Sequence, residues 1–382
     1  MVINTVESYE IGPIRPPSEA YSLFVRVTRN CPWNRCKFCY TYKNTKFEIR
    51  SVLEIKRDID IAKKYYDAIK EAAAKMGYGD DIRNAARVLA DNTSNESFYN
   101  VATWVFAGGE NVFLQDGDSL VLPTGQLLEI LQYLKSTFPG IKRITSYARS
   151  HTAARKTVEE LRQLHESGLT CLHIGLESGH DPVLEFLDKG VTAADHIKGG
   201  KNIVASGISL SEYVLLGAGG KKLWLENAVA TGKVLTEINP DYIRIRTLTV
   251  NRQMQLHNEV INGSFVRAND EDIIREERIL VENLNCTSSF VSDHTTNLLQ
   301  ELEGKLPGDK GKLLATIDRF LDLSPKEKIN FEFGRRLGIY CGLDDMKYPE
   351  KRQAIEQYIR QFTMSSPEDI NNVIWGLMER FI

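Results

Sequence analysis

The sequence lacks the features of a membrane, secreted or nucleic-acid-coating protein. Its apolar runs are shorter than the ~18 residues that a membrane-spanning helix needs. Its first residues include acids and form no apolar signal core, so secretion is not expected. The chain has 48 basic and 51 acidic residues and a net charge of −3, which gives it no general attraction for nucleic acid. These absences predict a cytoplasmic globular protein with no membrane or nucleic-acid partner.

Cysteine is also scarce, and its six occurrences are unevenly distributed. A disulfide framework would need an oxidising compartment, which the missing signal argues against. A close group of thiols in a cytoplasmic chain indicates metal ligation instead. The grouped cysteines are Cys31, Cys36 and Cys39, and the isolated ones are Cys171, Cys286 and Cys341.

Short β-branched or aromatic runs alternate with amphipathic helical stretches along most of the chain. Each pair of parallel strands needs a crossover helix, so this alternation predicts an α/β fold with parallel strands. The predicted strands are 21–28, 102–107, 141–147, 171–175, 208–216 and 242–249. The predicted helices between them are 52–76, 125–138, 152–166, 181–205 and 222–238, with an insertion around 80–100.

Beyond about residue 265 the pattern is mostly helical, and it ends in predicted helices at 351–362 and 367–381. We therefore predict two regions, a core of residues 1–265 and a mostly helical region of residues 266–382 that caps it. The carboxyl ends of parallel strands are where such folds place their functional residues. Several polar or glycine-rich segments, the cysteine triad first among them, follow predicted strands.

Several kinds of metal site compete for the triad, whose spacing is C-x4-C-x2-C. A structural zinc ion takes four protein ligands, and the next candidates, His151 and Cys171, lie far along the chain. A plant-type [2Fe–2S] ferredoxin motif also opens with this spacing but needs a fourth cysteine. A [4Fe–4S] cluster on three thiolates leaves one iron with an open position, which a catalytic site requires. A non-catalytic iron–sulfur or zinc protein, acting as an electron carrier or scaffold, is the alternative.

With this triad placed after its first predicted strand, the chain resembles the radical S-adenosylmethionine (radical SAM) superfamily. In that family the triad holds a [4Fe–4S] cluster, and SAM chelates the fourth iron. The commonest spacing is C-x3-C-x2-C, so this chain has one residue more between the first two cysteines. The resemblance covers about residues 20 to 250. It implies a partial (β/α)6 TIM-type barrel with a helical C-terminal extension.

The resemblance implies an enzyme in which the reduced cluster cleaves SAM to methionine and a 5′-deoxyadenosyl radical, which abstracts hydrogen from a substrate. It also implies a low-potential electron donor such as flavodoxin or ferredoxin. Because the net charge is near zero, we expect a small-molecule substrate. The second alternative is a radical SAM enzyme that modifies tRNA or a protein, which would want a basic face or an added recognition domain.

The resemblance also implies cofactor contacts near the first two strands. Phe38 precedes the third cysteine and is expected to press apolar surface against the adenine side, where Tyr40 is a further candidate. Gly108, Gly109 and Glu110 form a GGE motif, which is expected after the second strand and against the methionyl amine. Glycines let the backbone approach a ligand closely, and a carboxylate accepts from an ammonium.

Further cofactor contacts are implied after the later strands. Glu177 and Ser178 follow the fourth predicted strand and are expected near the ribose or the methionyl group, and Gly217 follows the fifth and is expected near the adenine. The candidates for the carboxylate of SAM are Arg149, Arg244 and Arg246.

A polar segment at 288–297 is the candidate substrate-side element. The pattern predicts a strand that runs into a polar turn and then a helix, with Asp293 or Thr295 as its N-cap. The functional interpretation is that Ser292, His294 and Asn297 close the mouth of the barrel and contact the substrate or the cluster ligand, with Ser292 and His294 as the candidate catalytic residues.

Overall fold

The computed structural model describes residues 7–79, 81–362 and 366–379. The chain divides into two compact units. The first unit consists of the residues up to Asn34 with Thr41–Ile174 and Asn202–Leu210, and the second consists of Arg35–Tyr40, Gly175–Lys201 and the residues from Ser211 onward.

The first unit contains parallel strands with helices between them. Its strands are β1 (Leu23–Arg26), β2 (Thr28–Arg29), β3 (Glu48–Ile49), β4 (Asn111–Gln115), β5 (Arg143–Ala148) and β6 (Leu169–Glu177), of which the last three residues of β6 belong to the second unit. Its helices are α1 (Val52–Lys75), α2 (Ile82–Ala90), α3 (Glu96–Phe106), α4 (Thr124–Thr137), α5 (Ser150–Ala153) and α6 (Val158–Glu166). Strands β1, β4, β5 and β6 pair in that order, and each pair is parallel.

Helix α1 shows why these segments form the elements that they do. Ser51 accepts a hydrogen bond from the Glu54 backbone N–H while the Glu54 carboxylate accepts from that of Ser51, so a capping box starts the helix. Its buried residues include Ile55, Ile59 and Ile69, which recur at the spacing of one helix face. The predicted helix at 52–76 is confirmed.

The predicted second strand at 102–107 is wrong, because these residues form the end of α3 and the turn after it. The Asn95 side chain caps α3, and Phe98, Val101 and Trp104 are buried on one of its faces, so helical packing overrides the β-branched and aromatic composition. The second long strand of this unit is instead β4, and the region predicted as an insertion contains α2 and the first turn of α3.

The second unit continues the alternation and then becomes mostly helical. Its strands are β7 (Ser209–Leu216), β8 (Tyr242–Thr247), β9 (Ser289–Val291) and β10 (Glu303–Lys305), of which the first two residues of β7 belong to the first unit. Its helices are α7 (Asp181–Phe186), α8 (Ala193–Ser206, ending in the first unit), α9 (Gly220–Ile238), α10 (Gln255–Ile261), α11 (Asp270–Asn283), α12 (Lys310–Leu321), α13 (Pro325–Arg336), α14 (Pro349–Ile359) and α15 (Pro367–Met378). Strands β7, β8 and β9 are parallel, and β10 pairs antiparallel with β9.

The segment at 288–297 departs from its prediction. Its strand is confirmed as β9, but no helix starts at Asp293 or Thr295, because the chain turns back to form β10 and the next helix is α12. Because the chain after β9 turns back to pair with it, the residues at 293–297 form a turn, and neither Asp293 nor Thr295 caps a helix. The two predicted terminal helices are confirmed as α14 and α15, although residues 380 and 381 of the second prediction lie outside the described residues.

The predicted α/β class with mostly parallel strands is confirmed. The division into residues 1–265 and 266–382 stays a prediction. Within the described part of the chain, no helix combines the length and the apolar character needed to span a membrane.

Candidate functional site

The carboxyl ends of β1 and β4 bring the first cysteine beside an Asp-Gly-Asp segment. A methyl group on Gly117 would lie 3.1 Å from Cβ of Cys31, so the absence of a side chain at Gly117 lets the cysteine backbone come this close. Asp116 forms a 2.6 Å ion pair with Arg26 and accepts a 3.1 Å hydrogen bond from the Asn30 backbone N–H. The loop that carries Cys31 is therefore anchored to the end of β4.

Asp118 is a buried carboxyl group at the same end of β4. It accepts a 2.6 Å hydrogen bond from the Thr152 hydroxyl. Burial raises the pKa of Asp118 to about 6, against the opposing effects of Thr152 and the Arg149 guanidinium. Arg149 itself follows β5, and its guanidinium lies over the Trp33 ring at 5.1 Å from the centroid. A carboxylate and a guanidinium near the triad loop offer partners for an ammonium and a carboxylate.

The predicted GGE motif lies elsewhere in the first unit. Gly108, Gly109 and Glu110 precede β4 and so stand at its amino end, whereas their predicted role requires the carboxyl end. Glu110 is half exposed and pairs with Lys142 at 2.6 Å. The prediction that the GGE motif follows a strand is therefore wrong. Asp116, Gly117 and Asp118 follow β4 instead. The apolar run at 112–114, followed at once by Gln-Asp-Gly-Asp, was the signal for this arrangement.

The other two cysteines belong to the second unit. Between them, the Lys37 backbone donates to the Leu187 carbonyl at 2.9 Å and accepts from the Leu256 N–H at 2.9 Å. The Lys37 ammonium pairs with Glu259 at 2.6 Å and lies over the Phe186 ring. The loop that carries Cys36 and Cys39 is thus fixed on both sides.

Phe38 and Tyr40 are partly buried against one apolar cluster of the second unit. The cluster includes Leu215 at the end of β7 and Leu248 and Val250 just after β8. The side chains predicted to flank an adenine ring therefore have an apolar surface of their own unit beside them.

Glu177 and Ser178 end β6 in different environments. Glu177 has a positive φ of 63° and forms a 2.9 Å ion pair with Lys189. The Ser178 side chain is fully buried, where its hydroxyl donates to Asn227 and accepts from the His180 N–H. Ser178 therefore stabilises this turn, while Glu177 is the more accessible of the two predicted ligand contacts.

Gly217 is held by a residue that the sequence did not single out. Its backbone N–H donates to the buried Glu276 carboxylate at 2.7 Å, and the other carboxylate oxygen accepts from Asn227 at 2.7 Å. Because Asn227 also accepts from Ser178, the chain Gly217–Glu276–Asn227–Ser178 joins the turn after β7 to the turn after β6. Burial raises the pKa of Glu276 to about 7. Glu276 sits in a strongly charged stretch, and only tertiary packing distinguishes it from its neighbours there.

Arg244 and Arg246 lie on one face of β8, alternating with fully buried isoleucines on the other face. Asp293 approaches both arginines, at 3.5 Å from each. The structure thus brings Arg246, Arg244 and the segment after β9 together within the second unit.

Ser292 and His294 are placed differently from each other. Ser292 is fully buried, hydrogen-bonded with Glu277 and accepting from Asn297, so it stabilises the turn after β9. His294 is half-buried, with Nδ1 close to the Thr296 hydroxyl at 2.7 Å. Burial and the nearby Arg246 charge lower the pKa of His294 to about 4, so its imidazole is neutral at pH 7.

The donor set of the triad suits an iron–sulfur cluster. All six cysteines are reduced, and the three of the triad are half-buried. Among the described residues, no group of three or more His, Cys, Asp or Glu side chains converges as a site for a single metal ion. A [4Fe–4S] cluster binds each cysteinyl sulfur through a different iron, so its thiolates need not converge on one point.

Comparison with protein families identifies the chain. Residues 25–221, just over half of the 382-residue chain, match the model of the Radical SAM superfamily. The chain therefore belongs to the radical SAM superfamily and is an enzyme of that class. Its cofactors are those of the family, a [4Fe–4S] cluster and SAM, as the sequence predicted.

The chain is also similar to individual proteins. An uncharacterized protein of Methanocaldococcus jannaschii is 25% identical over 162 residues, which are 42% of this chain and 49% of the relative. The chain thus spans about half the length of this curated relative. Among solved structures, Elp3 of Methanocaldococcus infernus shares 14% identity at a TM-score of 0.41, over 57% of this chain and 54% of that one. The radical SAM methyltransferase TsrM of Kitasatospora setae shares 12% identity at a TM-score of 0.44, over 89% and 61%.

Proposed function

We propose that this radical SAM enzyme abstracts hydrogen from a small-molecule substrate. The cofactors, when bound, supply a 5′-deoxyadenosyl radical for that step. The observation that carries the proposal is a group of charged side chains at β8 and β9. Arg244 and Arg246 lie on the face of β8 opposite its buried isoleucines, and Asp293, after β9, approaches both. Such a group suits a small polar ligand, and the net charge of −3 offers no general attraction for RNA.

Within this proposal, Cys31, Cys36 and Cys39 hold the cluster. Phe38 and Tyr40, packed on the apolar cluster beside Leu215, keep water from the adenine side. Water exclusion is the protein's part in such chemistry, because a reactive intermediate must meet only its substrate.

The remaining cofactor contacts follow from charge. Asp118 at the end of β4 accepts from the methionyl ammonium, and the Arg149 guanidinium binds the methionyl carboxylate. Glu177, held by Lys189, presents a carboxylate to the ribose hydroxyls. Gly217 brings backbone close to the adenine, and Glu276 holds that backbone in place.

Family membership implies a reductant, and we propose a low-potential carrier such as flavodoxin or ferredoxin. A cytoplasmic location stays a prediction.

The test is SAM cleavage by anaerobically reconstituted protein. Reduced wild-type enzyme is expected to release methionine and 5′-deoxyadenosine, because the triad leaves one iron for SAM. Cys36→Ala should lose the cluster chromophore and reduce cleavage at least 100-fold, measured by chromatography of the products. Cys341→Ala, which changes an exposed and isolated thiol, is the matched control and should keep both. Equal cleavage by Cys36→Ala and the control would contradict the proposal.

A further inference from the structure

Two guanidinium groups share one face of β8 with little compensating negative charge. The side chains of Arg244 and Arg246 are only 16% and 15% exposed. Each lies over a tyrosine ring, Arg244 over Tyr242 at 5.5 Å and Arg246 over Tyr213 at 4.8 Å. The rings and the strand direct both guanidiniums to the same side of the sheet.

Their one acidic neighbour is loosely held. Asp293 is the only carboxylate within 4 Å of either guanidinium in the described part of the chain, and its closest approach to each is 3.5 Å. Its side chain is 53% exposed, so most of its charge is hydrated. Charge-assisted N–H···O hydrogen bonds are normally 2.7–2.9 Å long, so neither pair is fully formed.

One guanidinium donor lacks any acceptor. Nε of Arg244 is buried and has no hydrogen-bond partner among the described residues. A buried charged donor without a partner is unfavourable, since its lost hydration is not replaced. Arg246 donates one hydrogen bond, to the Ile245 carbonyl at 2.8 Å, and the other donors of its guanidinium stay available to a ligand.

From this geometry we propose that Arg244 and Arg246 bind a carboxylate group of the substrate, with Asp293 occupying its place until the substrate arrives. This proposal rests on the proposed function and adds the substrate class, a small organic acid. A planar carboxylate accepts two parallel hydrogen bonds from one guanidinium, which Asp293 does not reach. The assignment replaces the prediction that Arg244 or Arg246 binds the carboxylate of SAM, and leaves Arg149 for that role.

The surrounding residues agree with an anionic ligand. His294 lies close enough for both Arg246 and Asp293 to affect its pKa. It is neutral at pH 7 because burial and the Arg246 charge lower its pKa to about 4. The pair of arginines with one carboxylate therefore carries a net positive charge there. The buried Glu277 carboxyl is engaged by Ser292 beneath the turn, and burial raises its pKa to about 8, which keeps it uncharged at neutral pH.

The test measures binding of succinate to the anaerobic holoenzyme with SAM present, by isothermal titration and saturation-transfer NMR. Succinamide, the uncharged analogue, serves as the ligand control. Succinate is expected to bind and succinamide at least fivefold more weakly. Arg244→Gln and Arg246→Gln should each weaken succinate binding at least fivefold, while Arg275→Gln, an exposed arginine of α11, should not change it.

Asp293→Asn separates this role from a structural one. If Asp293 competes with the ligand, removing its charge should tighten succinate binding several-fold, a gain that damage to the fold would not produce. Unchanged or weaker binding in this variant overturns the proposal, as does equal binding by wild type, Arg244→Gln and Arg246→Gln.

The affinity for SAM in the same variants decides whether the arginines bind the carboxylate of the substrate or that of SAM. We expect it to stay within threefold of wild type, and a tenfold loss would assign the arginines to SAM and overturn the proposal. Cleavage of SAM by the same wild-type preparation separates the two hypotheses. No cleavage contradicts the proposed function, whereas cleavage without selective succinate binding contradicts only the substrate class.

Discussion

At the scale of single residues, Glu276 shows how one carboxyl group can join two turns. It accepts from the Gly217 N–H and from Asn227, and Asn227 accepts from Ser178, so the turns after β6 and β7 share one buried network. An acceptor-only carboxylate sets the direction of every bond in that network, since Asn227 must turn its NH2 toward it. Its cost is a buried charge, which the raised pKa of about 7 reflects.

Replacement of Glu276 by Gln should change how stability depends on pH. The folded-state pKa is about 7 and the ordinary value is 4.5, so the folded protein binds the extra proton between these values. The wild type should therefore lose about 3 kcal/mol relative to Glu276→Gln as the pH rises from 4.5 to 7. The thermal midpoints of the two proteins, measured from pH 4 to 8, check this.

The sign of that difference is the informative result. All other ionisable groups are the same in the two proteins, so comparison of the two curves isolates position 276. A constant difference between wild type and variant across this pH range would show that Glu276 does not titrate there.

Individual site residues were also harder to predict from the sequence than helices and strands. The cysteine triad could be found as a metal site from its close grouping, because thiolates are the ligands that zinc and iron–sulfur sites use. Gly108 and Gly109 resembled a family motif, yet the backbone places them before β4, and Asp116 and Asp118 follow it. Two short motifs six to ten residues apart can be distinguished only by knowing where the strand lies.

At the scale of elements, the turn after β6 fits closely against α9. A methyl group on Gly179 would lie 2.7 Å from Cα of Thr231 and 2.8 Å from the Ala230 carbonyl oxygen. The Gly179 N–H also donates to the Thr231 hydroxyl at 2.8 Å, which keeps the turn and the helix in contact. These two contacts are with backbone atoms of α9, which cannot rotate away as the end of a flexible side chain could.

Gly179→Ala should therefore displace this turn. We expect a loss of 1–3 kcal/mol in stability, the usual cost of overpacking, and at least a tenfold loss in SAM affinity, because Glu177 moves with the turn. Iron content should stay that of wild type, since the cysteines lie on another loop. Equilibrium binding of SAM and a thermal melt provide the measurements.

Gly376→Ala is the matched control for that variant. Nothing lies within 4 Å of a methyl group at this α15 position, so the change should be neutral or stabilise the helix by up to ~1 kcal/mol. If Gly179→Ala behaved like this control, the close packing of the turn would have no consequence for the site.

Most elements could be predicted because their patterns were long. Helices α1, α4 and α9 and strands β5, β7 and β8 agree with their predictions within a few residues. One failure was the short apolar run at 102–107, where periodicity does not distinguish a strand from a buried helix. The other was the polar segment after β9, where a predicted helix is replaced by the turn into β10. The Asn95 cap, which starts α3, was the local signal that favoured the helix.

At the scale of the whole molecule, the region after residue 265 contributes to the second unit at several points. Strand β9 pairs with β8, and α11 carries Glu276 to Gly217. The buried pair of Arg336 and Asp270, 2.6 Å apart, joins α13 to α11. The site residues of this unit therefore depend on chain beyond the family match, which ends at residue 221.

A chain ending at residue 265 should be unable to form the second unit. It would leave one edge of β8 unpaired and Gly217 without its acceptor. We expect insoluble protein, or soluble protein with at least a tenfold lower affinity for SAM. Soluble expression, circular dichroism and SAM binding check this against the full chain.

Asp270→Asn in the full chain tests the contact between α13 and α11 without removing any part of the chain. Breaking a buried ion pair commonly costs 3–5 kcal/mol, so the thermal midpoint should fall while the chain still folds. A truncated chain that bound SAM as well as the full one would show that residues 266–382 form an independent appendage.

The contacts that hold the cysteine loop have a consequence for how the enzyme matures. Lys37 is fixed by Glu259, 222 residues later in the sequence, and by the nearby Leu256. At ~5–20 residues per second, a ribosome needs roughly 10 to 45 s to span that distance. Throughout that interval the cysteine loop lacks these contacts, so stable insertion of iron and sulfide is expected only after residue 259 has been synthesised.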